Sequence, residues 1–298
     1  MGAYNALYLD EIIETQGILF EYLYEFKDDI DASDFIYHFM KSPLRYYIDH
    51  ADPYYCTKDY SEWYNMLIKD YQFKPKSTHI KYDWIKLKWI GEFYAYYQWY
   101  TSIPSATLVS LHTYDDFSIA YPGLHDLDFK LAAERTLTTE NVLGFHDEDK
   151  QYGFLSNWYP SSFTDSRGVT FTSVEQYLMY SKALTFNDSG SADKILKTSD
   201  PAEIKYLGRM VKNYRDSLWK FVRRDIAIRG IRYKFEQNQS LKEQLLATGK
   251  TVLAECAVKD TAWGIGLPTF DERYKNINNW QGDNLLGLCL MYVRDTLH

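Results

Sequence analysis

The sequence is poor in cysteine, and its three cysteines, Cys56, Cys256 and Cys289, are odd in number and far apart. This spacing excludes a disulfide scaffold and a zinc site built from cysteines, and it indicates reduced thiols. The seven histidines are scattered, and only His146 and His298 lie in the second half of the chain. Without metal-ligand spacing, we expect no metal and no other cofactor.

Long apolar runs are also missing, since no stretch approaches the roughly 18 apolar residues of a membrane span. The first residues, MGAYNALYLDEIIE, show neither the basic nor the apolar region of a secretory signal. Ala6 stands where N-myristoylation requires Ser or Thr. We therefore expect a cytoplasmic protein without a membrane partner.

Neither GxGxxG nor GxxxxGK[ST] occurs, so the two common nucleotide fingerprints do not apply. Basic charge is not in excess either, because the formal net charge is −8. Residues 1–138 have a net charge of −9, and residues 139–298 have a net charge of +1. The acidic charge of the first half argues against nucleic-acid binding by this half, because phosphate contacts need Lys and Arg.

The 298 residues are 46% apolar, 25% charged and 17% aromatic, which is typical of a globular chain of one or two domains. We predict a mostly α fold of two helical domains, 1–138 and 142–298. A short polar stretch near 136–141 separates them. The 28 tyrosines indicate a tyrosine-rich core and surface.

The first domain is predicted to be helical throughout, with helices over 7–26, 32–40, 62–71, 84–101, 117–120 and 127–137. The fourth contains WIGEFYAYYQWY, which is apolar nearly all round and predicts a buried central helix. The segment 122–128, PGLHDLD, has two interpretations. It is either a metal or acid–base cluster, or a turn whose aspartate caps the next helix.

The second domain is predicted to add a few short strands to its helices. Extended or turn pieces are expected over 142–146, 152–160, 169–171 and 251–254, and helices over 173–186, from 201, and over 216–235, 241–248 and 285–297. Ser173 and Gln176 predict a capping box. Asp200 followed by Pro201 predicts a second helix start. A Gly-, Pro- and Asn-rich loop covers 264–283.

The helix that Ser173 opens carries the most promising chemistry. Glu175, Met179 and Lys182 recur at helical spacing and share a face, and two turns of helix span about 10.5 Å. A carboxyl on such a face becomes a useful base when it is buried. The alternative is that Glu175 only favours the helix N-terminus and that Lys182 extends along the surface.

Four further features of the second domain are weak alone, and each has a functional and a structural interpretation. Arg209 is a phosphate anchor or part of a surface ion pair. Asp260 can take a ribose hydroxyl. Trp263 and Gly264 either admit a flat ligand or form a tight loop. Asn284 opens the last helix and is a ligand contact or a cap.

Taken in order, these elements resemble the NADAR family, which includes the YbiA-like proteins. The matching pieces are Gly153–Trp158, Ser173–Tyr177, Ser181–Ala183, Leu207–Arg209, Trp219 ahead of Ala227–Phe235, Leu245–Gly249, Asp260–Gly264, Asn284–Gly287, Leu290–Met291 and Arg294. The resemblance covers about 142–298, a whole family domain. The segments WIGEFYAYYQWY and PGLHDLD resemble a helical bacterial domain with which no function is associated.

The resemblance implies a mostly helical N-glycosidase that cleaves the bond between ribose C1′ and a base or amine. Two activities are known in the family: removal of ADP-ribose from guanine in nucleic acid, which counters a toxin transferase, and hydrolysis of phosphoribosylamino-pyrimidine riboflavin intermediates. It also implies a site, which comprises the catalytic candidates Glu175, Lys182 and Asp260 and the substrate-binding candidates Phe154, Asn157, Arg209, Trp219, Trp263, Gly264 and Asn284.

One departure from the family affects the expected pocket. Shorter members have a compact glycine-rich loop where this chain holds residues 267–280 between Gly266 and Asn284. We expect this insertion to reshape the pocket mouth, so substrate choice does not transfer.

Within that site, we predict that Trp219 or Trp263 stacks on the base or adenine. Arg209 holds phosphate, and Asp260 and Asn284 orient the ribose. Either Glu175 stabilises an oxocarbenium-like centre and activates water, or Lys182 forms a Schiff base with the opened sugar.

Three functions from different classes are compatible with the sequence. The first is a hydrolase that removes ADP-ribose from nucleic acid or a nucleotide, or that cleaves the riboflavin intermediate. The second is a sensor that binds ADP-ribose or NAD without cutting it. The third is an antitoxin-like protein whose acidic first domain docks on a basic protein partner.

Overall fold

The computed structural model describes residues 3–25, 30–77, 81–137 and 141–297, without the side chain of Glu25. The chain divides into two compact units, Met1–Glu140 and Asn141–His298. Part of the expected polar link (138–140) and the expected end of the first helix, Phe26, lie outside the described residues. The mostly α prediction is confirmed. None of the described helices is long and apolar enough to cross a bilayer.

The described residues of the first unit form helices without any strand. They are α1 (Leu9–Glu25), α2 (Ala32–Lys41), α3 (Pro43–Ile48), α4 (Pro53–Cys56), α5 (Tyr60–Asp70), α6 (Trp84–Thr101), α7 (Ser105–Leu111), α8 (Tyr114–Leu124) and α9 (Phe129–Leu137). Helices α3, α4 and α7 were not predicted. They are short, and their apolar positions are too few to show a helical period.

Helix α6 is the buried centre of this unit, as predicted. Nine of its residues are buried, including Phe93 and Tyr97, whose rings stack 5.6 Å apart. Helix α1 packs along it, and a Cβ at Gly91 would lie only 2.6 Å from the Gln16 carbonyl oxygen. The Gln16 amide also donates to the Gly91 carbonyl at 2.9 Å. Gly91 therefore lets the two helix backbones meet.

The PGLHDLD segment is a turn and a cap. Helix α8 continues past Pro122 to Leu124, so it is longer than the predicted 117–120. His125 Nδ1 lies 2.9 Å from the Tyr121 carbonyl oxygen. The Asp128 carboxylate accepts the Leu131 N–H at 2.9 Å at the start of α9. Among the residues that the structure describes, no three His, Cys, Asp or Glu side chains cluster so that they could hold a metal ion, and the geometry supports the turn-and-cap interpretation.

The described residues of the second unit form four short strands and six α-helices. β1 (Val142–Phe145) pairs in parallel with β4 (Val252–Glu255), and β2 (Phe163–Thr164) pairs antiparallel with β3 (Thr170–Phe171). The helices are α10 (Val174–Thr185), α11 (Ser189–Leu196), α12 (Pro201–Arg209), α13 (Asp216–Glu236), α14 (Gln239–Ala247) and α15 (Leu285–Thr296). α11 was not predicted, because its first residues, Ser-Gly-Ser, have the composition of a loop.

Helix α10 is the centre of this unit and packs against α11, α12 and α13. Half of the predicted capping box is present, because Ser173 Oγ accepts the Gln176 N–H at 3.2 Å. The Gln176 side chain instead accepts the N–H of Thr172 at 2.8 Å and donates to the carbonyls of Ile195 and Thr198. Gln176 thus ties the start of α10 to the end of α11.

All three cysteines are unpaired and buried. Burial raises the thiol pKa of Cys56 to about 11, and those of Cys256 and Cys289 to about 12. They are therefore neutral thiols near pH 7, in agreement with the prediction of reduced cysteines.

Candidate active site

Three side chains at helical spacing define one face of α10: Glu175 in its first turn, Met179 and, in its last turn, Lys182. The Glu175 backbone N–H donates to the Asn157 carbonyl at 2.9 Å. This bond satisfies one of the free N–H groups at the helix start and joins the 153–157 segment to α10.

The Glu175 carboxyl lies where a carboxylate is poorly solvated. Burial raises its pKa from 4.5 to about 7, and the negative charge of Asp260 adds to this, whereas the positive charges of Lys205 and Lys182 lower it. A group with this pKa exchanges protons readily near neutral pH, which suits a general acid or base. Lys205 was missed by the sequence analysis. Its position four residues before Arg209 on α12 was the available signal.

The Lys182 side chain lies between a carbonyl group and two aromatic rings. Its Nζ donates to the Gly208 carbonyl at 2.8 Å and lies 4.5 Å from the Tyr214 ring centre and 5.8 Å from that of Trp219. Burial lowers the pKa of Lys182, and the charge of Glu175 opposes that shift. Lys182 therefore does not extend freely into solvent.

Gly208 holds α12 close to this face of α10. A Cβ at Gly208 would overlap the Met179 side chain. The close approach presents the Gly208 carbonyl to Lys182, and the charge of Lys205 on the same helix acts on Glu175. Arg209 is exposed and forms no ion pair with any described residue, so the surface ion-pair interpretation is not supported.

The Asp260–Gly264 loop forms another part of the site. Asp260 is exposed, and its Oδ1 accepts the N–H groups of Ala262 at 3.2 Å and Trp263 at 3.1 Å. The Trp263 ring is part-exposed, with the Arg223 guanidinium 6.0 Å from its centre. A Cβ at Gly264 would lie 2.8 Å from the Glu255 carbonyl oxygen. Gly264 therefore serves close packing against the chain after β4.

Asn284 is buried and bonds to β4. Its Oδ1 accepts the Glu255 N–H at 3.0 Å, and its Nδ2 donates to the Leu253 carbonyl at 2.8 Å. Its backbone is left-handed, with φ of 53°, and its side chain does not cap α15. The side chain fixes β4 and is turned away from solvent, so an orienting contact with ribose remains a prediction.

A buried lysine, which was not predicted from the sequence, bonds to the backbone of the 153–157 segment. Lys234 of α13 is 1% exposed, and its Nζ donates to the carbonyls of Phe154 at 2.7 Å and Ser156 at 2.9 Å. Burial lowers its pKa to about 7. The Phe154 ring is buried against Phe235, so it does not line the entrance of the candidate pocket as predicted.

Asn157 and Trp219 are also largely buried. Asn157 Oδ1 accepts no hydrogen bond from any described residue, which is uncommon for a buried oxygen. Trp219 is 6% exposed, so only an edge of its ring is open to a ligand. Among the two tryptophans predicted to stack, Trp263 has the more accessible ring.

The inserted segment forms two 3₁₀ turns, Glu272–Lys275 and Ile277–Asn279. Tyr274 packs on β1, since a Cβ at Gly144 would lie 2.8 Å from the Tyr274 ring. The Gln281 N–H donates to the Ile265 carbonyl at 2.8 Å. The insertion therefore covers β1 and borders the Asp260–Gly264 loop.

A cavity of about 370 Å³ lies on the opposite face of α10. Tyr177, Ser181 and Leu184 of α10 line it with Arg229 and Tyr233 of α13. None of the predicted site residues lines this cavity. Helix α10 thus separates it from the face that carries Glu175 and Lys182.

The second unit is thus mostly helical and presents a part-buried carboxyl and a shielded lysine on one face of α10. The family model described as the NADAR domain matches residues 144–298, and the chain belongs to the NADAR family. This finding confirms the resemblance seen in the sequence. The match does not include residues 1–143.

Three of the matching relatives cover between 53% and 58% of this chain. N-glycosidase R617 of Acanthamoeba polyphaga mimivirus is 37% identical over 168 residues, 53% of this chain and 98% of that protein. Riboflavin biosynthesis protein VVA0006 of Vibrio vulnificus is 34% identical over 175 residues, 58% of this chain but only 44% of that protein. N-glycosidase YbiA of Escherichia coli is 28% identical over 160 residues, covering 53% and 89%. The NMR structure of E. coli YbiA aligns with a TM-score of 0.44 at 27% identity, over 52% and 83% of the two chains.

Proposed function

We propose that the second unit is an N-glycosidase that removes ADP-ribose from ADP-ribosylated guanine in nucleic acid. Membership of the NADAR family, with relatives named N-glycosidases, supports the reaction class. One observation carries the assignment to this site: Glu175, with a pKa near 7, shares a face of α10 with Lys182.

Cleavage of the C1′–N bond leaves positive charge at C1′, as in other glycoside hydrolyses. In the first route, ionised Glu175 stabilises that charge and takes a proton from the attacking water. In the second, neutral Lys182 attacks the opened sugar and forms a Schiff base. The lowered pKa of Lys182 supports the second route, because only the neutral amine is a nucleophile.

Substrate contacts follow from exposure and charge. Trp263 stacks on the base or the adenine, because its ring is the more accessible of the two tryptophans. Arg209, whose guanidinium forms no ion pair with a described residue, takes phosphate. Asp260 Oδ2, which accepts no hydrogen bond from a described residue, accepts one from a ribose hydroxyl. Asn157 Oδ1 accepts an N–H group of the ligand, which would satisfy the oxygen that lacks a partner in the described chain.

A second candidate substrate is the phosphoribosylamino-pyrimidine of riboflavin synthesis. The Vibrio vulnificus relative is named a riboflavin biosynthesis protein, which favours this substrate. Both substrates present a ribose C1′–N bond and phosphate, so Glu175, Lys182 and Arg209 would serve either of them. The inserted Tyr274 segment beside the Asp260–Gly264 loop supports a substrate choice that differs from that of shorter family members.

The first experiment is a mass-spectrometric cleavage assay on an oligonucleotide carrying ADP-ribosyl-guanine, with phosphoribosylamino-pyrimidine in parallel. Glu175→Gln removes the charge and keeps the shape. Glu243→Gln, on the exposed surface of α14, is the matched control. Release of ADP-ribose by wild type and the control, but not by Glu175→Gln, supports the proposal. Turnover of the pyrimidine alone indicates that this metabolite is the substrate. Binding of ADP-ribose without cleavage indicates a sensor.

The two routes are separated by borohydride added during turnover. The Schiff-base route predicts an adduct that peptide mapping places on Lys182. Lys205 is the internal control, because it is a second amine whose charge reaches Glu175 but whose side chain is exposed. An adduct on Lys205 alone, or no adduct under active turnover, contradicts the Schiff-base route.

The acidic first unit remains proposed as the docking site of a basic protein partner. The net charge of −9 over residues 1–138 supports attraction to a positive surface. Such binding weakens as salt shortens the range of electrostatic interactions to about 8 Å at physiological ionic strength. Binding to a candidate partner that is unchanged in 1 M salt would contradict electrostatic docking.

A further inference from the structure

A histidine and a buried carboxyl meet at one edge of the β1–β4 pair. The strands are parallel, with Phe145 opposite Glu255, so His146 and Glu255 leave the sheet at the same edge. His146 Nδ1 lies 2.5 Å from Glu255 Oε1. The Glu255 side chain is 8% exposed and that of His146 is 47% exposed. The carboxyl is therefore buried behind an imidazole that remains open to solvent.

The backbone around Glu255 is fixed on both sides. Its N–H donates to Asn284 Oδ1 at 3.0 Å, and its carbonyl accepts the Ile265 N–H at 2.8 Å. A carboxylate held this firmly fixes the orientation of the imidazole that bonds to it. The other ring nitrogen, Nε2, is 4.0 Å from the Asp147 carboxylate, which is beyond hydrogen-bond distance. That nitrogen can therefore serve a ligand.

The pair adjoins the candidate active site through the Asp260–Gly264 loop. This loop packs on the backbone of Glu255, since a Cβ at Gly264 would lie 2.8 Å from the Glu255 carbonyl oxygen. The charge of Asp260, at the start of the loop, raises the pKa of both Glu175 and Glu255. The same loop continues into Ile265, which bonds to Glu255, and it carries Trp263. Glu175 and the histidine–glutamate pair are thus both associated with the loop that bears the proposed stacking ring.

The charges around His146 favour its protonated form. Its pKa is raised by the hydrogen bond to Glu255 and by the charges of Asp147 and Glu148, against the effect of burial. On the elements packed beside it, the titratable groups are Glu255 and Cys256 of the β4 segment and Tyr274 of the inserted segment, and Asp260 acts on Glu255. Cys256 is a neutral thiol near pH 7, so carboxylates dominate this environment.

We propose that His146, oriented by Glu255, delivers the proton to the leaving nitrogen of the substrate. The proposal rests on the proposed N-glycosidase function. As the C1′–N bond breaks, its electron pair goes to nitrogen, which takes the proton from His146 Nε2. In the first of the two routes, water adds to C1′ and gives its proton to Glu175. Glu175 then releases that proton to solvent, and His146 takes up a proton from solvent. Glu255 is then a positioning residue, because it acts only through His146.

The test is the pH dependence of ADP-ribose release from the ADP-ribosyl-guanine oligonucleotide. In the wild type, kcat/KM falls on the alkaline side as His146 loses its proton. His146→Gln lowers kcat by about 10²–10⁴-fold and removes that alkaline limb. Added imidazole restores part of the rate, because the site of His146 is half-exposed. Glu255→Gln keeps the shape of the pair and moves the alkaline limb to lower pH.

His125→Gln is the matched control, since His125 is a part-exposed histidine of the first unit. It leaves rate and profile unchanged. A merely structural clamp between β1 and β4 predicts instead that His146→Gln lowers the melting temperature and leaves the shape of the pH profile as it is. That outcome, or a His146→Gln enzyme of nearly full activity, overturns the proposal.

A separate readout distinguishes failure of this inference from failure of the proposed function. The imidazole signal of His146, assigned by its absence in His146→Gln, is followed by NMR with and without ADP-ribose. A wild type that cleaves neither substrate refutes the hydrolase. A signal that ADP-ribose shifts still supports His146 as part of the ligand site, and a signal that it leaves unmoved overturns the inference in an active or inactive protein.

Discussion

Substitution of Glu175 by glutamine is expected to stabilise the protein while it removes activity. The wild-type carboxyl has a pKa of about 7 when folded and 4.5 as an ordinary group, because burial disfavours its charged form. At about 1.4 kcal/mol per pH unit, ionised Glu175 costs roughly 3 kcal/mol of folding free energy. Glutamine is neutral at every pH and does not carry this cost.

The sign of the effect fixes the pH window. Below pH 4.5 the carboxyl is protonated in both the folded and the unfolded chain, so its ionisation contributes nothing to the difference between the variants. Between pH 4.5 and 7 the unfolded chain loses this proton first, and wild-type stability falls as pH rises. The advantage of Glu175→Gln therefore grows across this window and is complete near pH 8.

Guanidinium titrations at pH 5 and pH 8 measure this difference. Leu290→Ala, a substitution in the core of the second unit, identifies the transition that belongs to that unit. Glu243→Gln on the exposed surface of α14 should show no pH-dependent gain. A Glu175→Gln advantage that is absent, or equal at both pH values, would refute the argument that burial raises the pKa of this carboxyl.

Three further substitutions test the neighbouring packing and charge. Gly208→Ala should lower the melting temperature, because the new methyl group overlaps Met179 at a cost of about 1–3 kcal/mol that exceeds the gain in helix propensity. Adding Met179→Ala should recover part of this loss of stability. An unchanged melting temperature contradicts the close contact. As pH rises, Lys234 loses its proton at lower pH in the folded chain than in the unfolded chain. In denaturant titrations, wild-type stability should therefore rise by about 2 kcal/mol between pH 7 and 9 relative to Lys234→Met. Parallel curves for the two proteins would contradict a lowered pKa of Lys234. Trp263→Ala should weaken ADP-ribose binding by about 5–150-fold in calorimetry without changing the melting temperature. Trp219→Ala should mainly lower the melting temperature, because Trp219 is buried. The reverse pattern would exchange the roles of the two rings.

Local signals in the sequence were sufficient for the long helices. The apolar positions of α1, the nearly all-apolar sequence of α6, the length of α13 and the Asp200–Pro201 start of α12 are visible without tertiary information. Helices α3 and α4 also begin with a capping residue and proline, but with six and four residues they are too short to establish a period. Strands β2 and β3, with two residues each, depend on their pairing with each other.

The candidate site was predictable where its residues share one helix. Glu175 and Lys182 are connected by the geometry of α10 alone, so their spacing was informative. The other contributions come from distant segments. Lys205 depends on the packing of α12 on α10, and Glu255 reaches His146, 109 positions away in sequence, because β1 pairs with β4. A single sequence contains no signal for such pairings.

Asn284 shows the same limit at one residue. As the first residue before a helix, it suggests a cap, and within the family resemblance it suggests a ligand contact. Its left-handed backbone instead turns the amide towards β4. Only the position of that strand decides between these interpretations.

The buried cysteines are a native set of reporters for local opening. A thiol-specific reagent reacts with the thiolate, and burial both shields these sulfurs and suppresses their ionisation. Labelling must therefore wait for an opening of the surrounding structure. Cys56 reports the first unit, and Cys256 and Cys289 report the second. Labelling rates followed by mass spectrometry therefore compare the opening of the two units within one unmodified chain.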